Sequence, residues 1–358
     1  MSAPAASASR PVEGYFFEDF TPGRRFVHAT PRTLTAGDAA LYVALTGARQ
    51  PLHCDEPLAR AMGHRACPID DFLVFNMAFG KTVADISYNA VANLGYADVR
   101  FLAPVYAGDT IGCDSEVIGA KENSNGRTGV VYVRSVASNH EGTAVLSWIR
   151  WVMVQKRSVA PTSMSSVPEL PKEVAVANMR VPQWLTTHAL TGRVTGSLRA
   201  WDDYAPGATI DHPGGMTLEE ADHMLATRLY QNTARIHFDA HAAKGNAFGR
   251  RLVYGGHVIS VLRALSYDGL ENVAAIAAIH GGTHANPAFA GDTLRCRHVV
   301  LARDALPGRK DLGVLRLRMI GAKDVELASL PAIAPGEKHP AVVLDLDYSV
   351  VIPRRQSA

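Results

Sequence analysis

The chain contains itself twice, and that repeat limits its architecture more than any other feature. FEDFTPG, Phe17 to Gly23, aligns on WDDYAPG, Trp201 to Gly207, at a shift of 184 residues. In the same register Thr33-Leu34 falls on Thr217-Leu218, Asp38 on Asp222, His53 on His237 and Asp55 on Asp239. Further along, at a shift of 183, PVYAGDT (Pro104 to Thr110) falls on PAFAGDT (Pro287 to Thr293). VVYVRSV at Val130 then matches VLRLRMI at Val314, and LSWIRWVMVQKR at Leu146 resembles LDLDYSVVIPRR at Leu344. One folding unit therefore occurs twice in a chain long enough, at 358 residues, for two compact cores. The Pro- and Ser-rich stretch from Ser158 to Pro182 suits an extended connector. The expected organisation is a loose tail over 1–13, a first module over 14–157, a linker over 158–182 and a second module over 183–358.

Each module has the same order of elements. A short helix is announced by the capping pattern Thr217-x-x-Glu220 in the second copy and by Thr35-x-x-Asp38 in the first. Then comes a segment bearing H-x-D, whose Asp55 and Asp239 read as helix N-caps. DFLVFNMAFGKTV, Asp71 to Val83, is apolar on nearly every side, so other structure must surround it, and its counterpart is HVISVLRAL, His257 to Leu265. Strands follow, with period-two alternation clear in LRLRM and LDLDYSVVI. An apolar helix ahead of antiparallel strands predicts an α+β fold in which a curved sheet wraps around a central helix, twice.

Lys and Arg number 36 against 34 Asp and Glu, too even a balance for a nucleic-acid or membrane-surface partner. No segment reaches the length of a membrane span. Cys54, Cys67, Cys113 and Cys296 show no paired spacing, and nothing at the start reads as a secretory leader, so reduced thiols in a cytoplasmic protein are expected. Neither GMTLEE nor YGGHVIS has the pattern of a phosphate loop, which argues against ATP or NAD. The pairs His237/His241 and His280/His284 have the spacing of helical metal ligands. HGGTH, however, carries two glycines unsuited to a helix, and no carboxylate follows either pair, so no metal is expected.

The order of elements, the H-x-D segments, GRRLVYGGH (Gly249 to His257) and the P-x-x-A-G-D-T turns together resemble the MaoC-type hot-dog hydratases, over nearly the whole chain outside tail and linker. That resemblance implies a tandem double hot-dog fold and a cofactor-free hydro-lyase acting on an acyl-CoA. The runs ENSNGRTGVVYVRS and SYNAVANLGYAD narrow the likeness to members that act on branched, unsaturated dicarboxylic acyl-CoA thioesters. The family bears G-D-x-N-P-[LIV]-H at the start of its site. Here the first copy reads Gly47-Ala48-Arg49-Gln50-Pro51-Leu52-His53, without the carboxylate, and the second reads Gln231-Asn232-Thr233-Ala234-Arg235-Ile236-His237, with an amide in its place.

The resemblance makes Asn232 and His237 the expected catalytic pair. An imidazole titrates near neutrality and can take a proton from water. A carboxamide cannot, but it can orient that water. An amide in place of a carboxylate makes sense if the substrate itself carries a carboxylate, because two like charges about 4 Å apart cost on the order of 4 kcal/mol at an effective dielectric near 20. Arg235, Arg250 or Arg251 would then meet the substrate carboxylate. Gly255 and Gly256, at the start of the second apolar helix, either present N–H groups to the thioester oxygen or serve a tight turn. The half without the pair would lend the coenzyme A groove: Pro68, Ile69, Asp70 and Asp71, then Val91, Ala92, Asn93 and Leu94, then Leu102, Ala103 and Pro104. Pairing of the two modules through their sheets would satisfy edges, and further assembly into homodimers or higher homo-oligomers is open. Competing functions are an R-specific hydratase of neutral acyl chains, a hot-dog thioesterase and a non-catalytic acyl-CoA-binding protein.

Overall fold

The computed structural model describes residues 10–355. The two apolar segments form the central helices, Asp71–Thr82 and Gly255–Leu265, each with almost every residue buried. Asp70 caps the first, its carboxylate accepting from the Phe72 N–H at 2.8 Å. The second has no side-chain cap and opens on Gly255 and Gly256.

The strands of the first half are β1 (Arg25–Val27), β2 (Arg32–Thr33), β3 (Ala90–Phe101), β4 (Thr110–Glu122), β5 (Thr128–Ser138) and β6 (Ala144–Gln155); β7 (Ser165–Ser166) lies beyond them. The second half contributes β8 (Thr209–Thr217), β9 (Ala275–Thr283), β10 (Thr293–Ala305), β11 (Leu312–Lys323) and β12 (Val342–Pro353). All pairings are antiparallel, and the two sheets fuse into one, in the order β1-β4-β5-β6-β3-β9-β12-β11-β10-β8. The seam pairs β3 with β9, Tyr96 opposite Gly282 and Val99 opposite Ile279. Edges that a lone module would expose are thus satisfied within the chain. Each sheet half wraps its own helix, which is the double hot-dog arrangement expected, and the helices cross inside one continuous apolar core.

The crossing depends on one glycine. A Cβ on Gly256 would lie 1.9 Å from Asn76 Oδ1, and Asn76 Nδ2 donates to the Gly256 carbonyl (3.1 Å) and to Ser260 Oγ (3.0 Å). The first helix can approach so closely only because the second lacks a side chain there.

Two local expectations differ in detail. Thr35 and Asp38 form the reciprocal capping box, whereas Thr217 ends β8 and its hydroxyl meets that of Thr293 at 2.8 Å; the helix of the second copy begins at Glu220 without a side-chain cap. In the repeat Thr217 corresponds to Thr33, the last residue of β2, and the N-cap position that Thr35 fills in the first copy is held by Glu219 in the second. Asp55 and Asp239 do cap, accepting from the N–H groups of Leu58 (3.0 Å) and Ala242 (2.9 Å). Residues 158–182, read as an extended connector, also pack: Val174 and Met179 are buried, and the Val174 N–H donates to His280 Nδ1 at 2.9 Å. The expected tail lies outside the described residues as far as residue 9.

Candidate active site

His237 ends a single 3-10 turn, Arg235–His237, and its ring stands against Tyr254, centroids 5.5 Å apart. Its Nδ1 donates to the Leu252 carbonyl at 3.0 Å, which fixes the tautomer and leaves Nε2 with its lone pair free. The ring is enclosed by protein and partly open on the side of a cavity. Burial pushes its pKa down to about 4, outweighing the opposing pull of the Leu252 carbonyl, so at neutral pH the imidazole is uncharged and Nε2 is unprotonated.

Asn232 is held by the other module. Gln231, just before it, has φ of 51°, an uncommon left-handed value for a side chain of that kind, and Lys81 of the first central helix donates to its carboxamide oxygen. A Cβ on Gly80 would lie 2.0 Å from the Tyr230 carbonyl oxygen, so the loop carrying Asn232 sits directly on the helix backbone. Asn232 Oδ1 accepts from the Ala234 N–H at 2.9 Å, and its Nδ2 has no acceptor among the described residues. The amide is therefore fixed in the orientation of a donor.

Both side chains line one cavity of about 380 Å³, large enough for a branched acyl group and the end of a pantetheine arm. Its wall is mostly apolar, built from both modules, and contains no Asp or Glu. The polar groups on it include Ser87, Asn93, Tyr96, Arg150, Tyr254 and His284. Tyr96 Oη lies 3.1 Å from His284 Nε2, and a Cβ on Gly255 would meet the His284 ring at 2.4 Å. Burial lowers the His284 pKa to about 4 as well.

The residues named from sequence divide. Asn232, His237, Gly255, Val91, Ala92 and Asn93 line this cavity, with Val91 and Ala92 exposed at its mouth. Gly256 does not; it serves the helix crossing. The Gly255 N–H, first of its helix, has no acceptor among the described residues. Asp70 and Asp71 border a space of only about 20 Å³ beside His53, and Pro68, Asp71, Ala103 and Pro104 border another of about 50 Å³. Ile69, Leu94 and Leu102 line none of the three. The arginines are placed elsewhere: Arg235 is exposed and pairs with Asp239 at 2.9 Å, Arg251 pairs with Glu220, and Arg250 lies over the Phe289 ring at 3.7 Å. None of the three is on the cavity wall.

In the first module His53 repeats the backbone contact of His237, its Nδ1 lying 3.0 Å from the Pro68 carbonyl. The cavity does not recur. Gln50 donates to the carbonyls of Glu271 (2.9 Å) and Val273 (2.7 Å) and accepts from Arg263 (3.4 Å), so side chains occupy the equivalent space.

Sequence reasoning passed over Arg150, Tyr254, His284 and Tyr96. Arg150 did leave a signal, a charge at an inward position of the apolar strand WIRWVMV, and His284 appeared only as half of a metal spacing. His280 and His284 face different surroundings, the former bonded to Ser349 Oγ at 2.8 Å. Among the described residues one group has metal-ligating atoms in reach of each other, His212, Cys296 and His298. Its lone pairs are spent: Asp268 O accepts from His212 Nδ1 (2.7 Å), so His212 Nε2 accepts from His298 Nδ1 (2.8 Å) and His298 Nε2 accepts from the Tyr348 hydroxyl (2.8 Å).

Comparison with known proteins agrees with the geometry. The MaoC like domain profile matches residues 18–139. The β-methylmalyl-CoA dehydratase of Chloroflexus aurantiacus is 52% identical over 344 residues, 96% of this chain and 98% of that one. The mesaconyl-CoA hydratase of Cereibacter sphaeroides is 49% identical over 344 residues, 95% and 98% respectively. A crystal structure of a MaoC domain protein from Chloroflexus aurantiacus superimposes with a TM-score of 0.93 at 51% identity, covering 98% of this chain and 100% of that one.

Proposed function

The chain belongs to the MaoC-like hydratases, and from that premise we propose that it reversibly adds water to mesaconyl-CoA, giving β-methylmalyl-CoA. The observation that carries the reading is a neutral imidazole whose free Nε2 shares a cavity with the donor amide of Asn232. In the hydration direction His237 Nε2 takes a proton from water as the water oxygen bonds to the β-carbon. The alkene electron pair moves towards the thioester oxygen, where the unpaired Gly255 N–H at a helix N-terminus meets the developing charge. The imidazolium then returns the proton to the α-carbon. Dehydration runs the same steps backwards. Asn232 Nδ2 donates to the water oxygen and sets its direction.

A thioesterase would want a carboxylate to attack the carbonyl or activate water, and the cavity wall contains none. Val91 and Ala92, at the mouth, suit the pantetheine amides. The remaining groove residues proposed in the first module, Pro68 to Asp71 and Leu102 to Pro104, are not on this cavity's wall. Four unpaired cysteines suit the reducing cytoplasm, and no helix among the described residues is long and apolar enough to cross a membrane. The test is the loss of enoyl-thioester absorbance with mesaconyl-CoA and with crotonyl-CoA. Turnover of the first carries the reading, and binding without turnover of either makes the chain an acyl-CoA-binding protein instead.

A further inference from the structure

The cavity is lined by one charged group, and among the described residues no carboxylate neutralises it. Arg150 lies on β6, fully buried, and borders the cavity. Nη2 donates to Thr82 Oγ1 at 2.8 Å, and the guanidinium carbon stands 4.2 Å over the Phe79 ring. Nε and Nη1 have no partner, and no carboxylate lies within 4.0 Å among the described residues. Other arginines with little exposure are answered by carboxylates, Arg318 by Asp345 and Arg316 by Asp347. Arg263, the other buried one near a site, has Gln50 and Ser266.

Burying a guanidinium without a counter-ion is costly, and the cost is recovered if an anion arrives with the ligand. Burial brings its pKa down to about 10, still well above neutral, so the group meets its ligand as a cation. Three other residues on the wall have buried polar atoms without a partner: the Ser87 and Tyr254 hydroxyls, and both polar atoms of the Asn93 amide. A phenol and an amide are donors to an anion as well. The cavity thus offers a cation and spare donors inside an apolar wall free of acidic groups.

We propose that Arg150 receives the free carboxylate of a dicarboxylic acyl-CoA and so sets the enzyme's preference for such substrates over neutral acyl chains. The inference rests on the hydratase reading for its substrate class, but recognition of the carboxylate is a matter of binding and can be measured without turnover. Arg150 is a specificity residue in this account. Asn232, standing where relatives of the fold bear a carboxylate, keeps a second negative charge away from the same anion.

Succinyl-CoA and butyryl-CoA differ in the terminal carboxylate and have no double bond to hydrate. Calorimetric titration of both into wild type, Arg150→Gln and Arg150→Lys tests the assignment. Wild type is expected to bind succinyl-CoA at least about tenfold more tightly than butyryl-CoA, as one charge-assisted hydrogen bond would give. Arg150→Gln should abolish that preference while leaving butyryl-CoA affinity near wild type; Arg150→Lys should retain part of it. A wild type that does not discriminate overturns the proposal. So does an Arg150→Gln protein that loses both ligands equally while Arg150→Lys, still folded, keeps no preference for succinyl-CoA. Failure of the hydratase reading looks different: succinyl-CoA is preferred, yet mesaconyl-CoA is not hydrated.

Discussion

His237 gives its Nδ1 proton to the carbonyl of Leu252, 3.0 Å away, and this single bond decides which nitrogen faces the cavity. His53 makes the same bond to Pro68, at the equivalent place in the other module, yet borders only spaces of about 20 and about 50 Å³. The tautomer belongs to the fold and is present twice. On the proposed reading, chemistry follows only where a cavity and a water-orienting amide accompany it.

Because enclosure lowers the His237 pKa from 6.5 to about 4, the free enzyme should keep its base over an unusually wide range. Protonation removes the base, so activity is present above that pKa and is lost as pH falls through it. The profile of kcat/KM for hydration should therefore be level from neutral pH downwards and break near 4. An acidic limb centred near 6.5 would mean the ring is solvated in the working enzyme.

Asn232→Asp should move that limb. A carboxylate on the same cavity wall favours the imidazolium and raises the His237 pKa, so the acidic break shifts upwards. The added charge also opposes a substrate carboxylate, so turnover of mesaconyl-CoA should fall relative to crotonyl-CoA. Faster turnover of mesaconyl-CoA, with the break unmoved, would refute the electrostatic account of the amide.

Gly80→Ala tests how the first module holds the catalytic loop of the second. Its Cβ would fall 2.0 Å from the Tyr230 oxygen and 3.2 Å from the Asn232 nitrogen, so the loop has to move. Overpacking of this kind costs about 1–3 kcal/mol, read from urea unfolding, and kcat should fall with it. Wild-type stability together with wild-type kcat would show that the loop is positioned by something else.

His53→Ala should leave kcat and KM unchanged and cost about 1 kcal/mol of stability through the lost bond to Pro68. A large loss of activity would place the first module's histidine in the reaction and contradict the division of labour between the halves.

How much of this was legible in the chain depends on how local the cause was. The repeat, the two apolar helices and the strand alternation are one-dimensional patterns, and they yielded a sheet wrapped around a helix, twice; the hot-dog itself came from the family resemblance. Asn232 and His237 could be named because they sit within one short motif, and Gly255 because glycines at the head of a helix stand out; the fold brings all three to one cavity. Arg235 and Arg251 were natural candidates by proximity in sequence. Asp239 and Glu220 neutralise them, the first four residues away and the second thirty-one, and only the folded chain shows that both are taken. Arg150 lies 87 residues from His237 in sequence and reaches its cavity because β3 and β9 fuse the sheets. Nothing in an alternating strand tells that its inward charge lacks a partner. The two proposed groove segments around Pro68 and Leu102 come from the family resemblance, and only the folded chain shows that they stand off the wall of the His237 cavity.

The most direct measurement is the turnover of mesaconyl-CoA by His237→Ala, followed through the enoyl-thioester absorbance alongside a check of secondary structure by circular dichroism. Loss of a positioned acid–base group predicts kcat lower by about a hundred- to ten-thousandfold in a folded protein. A folded variant that hydrates mesaconyl-CoA at the wild-type rate would contradict the account.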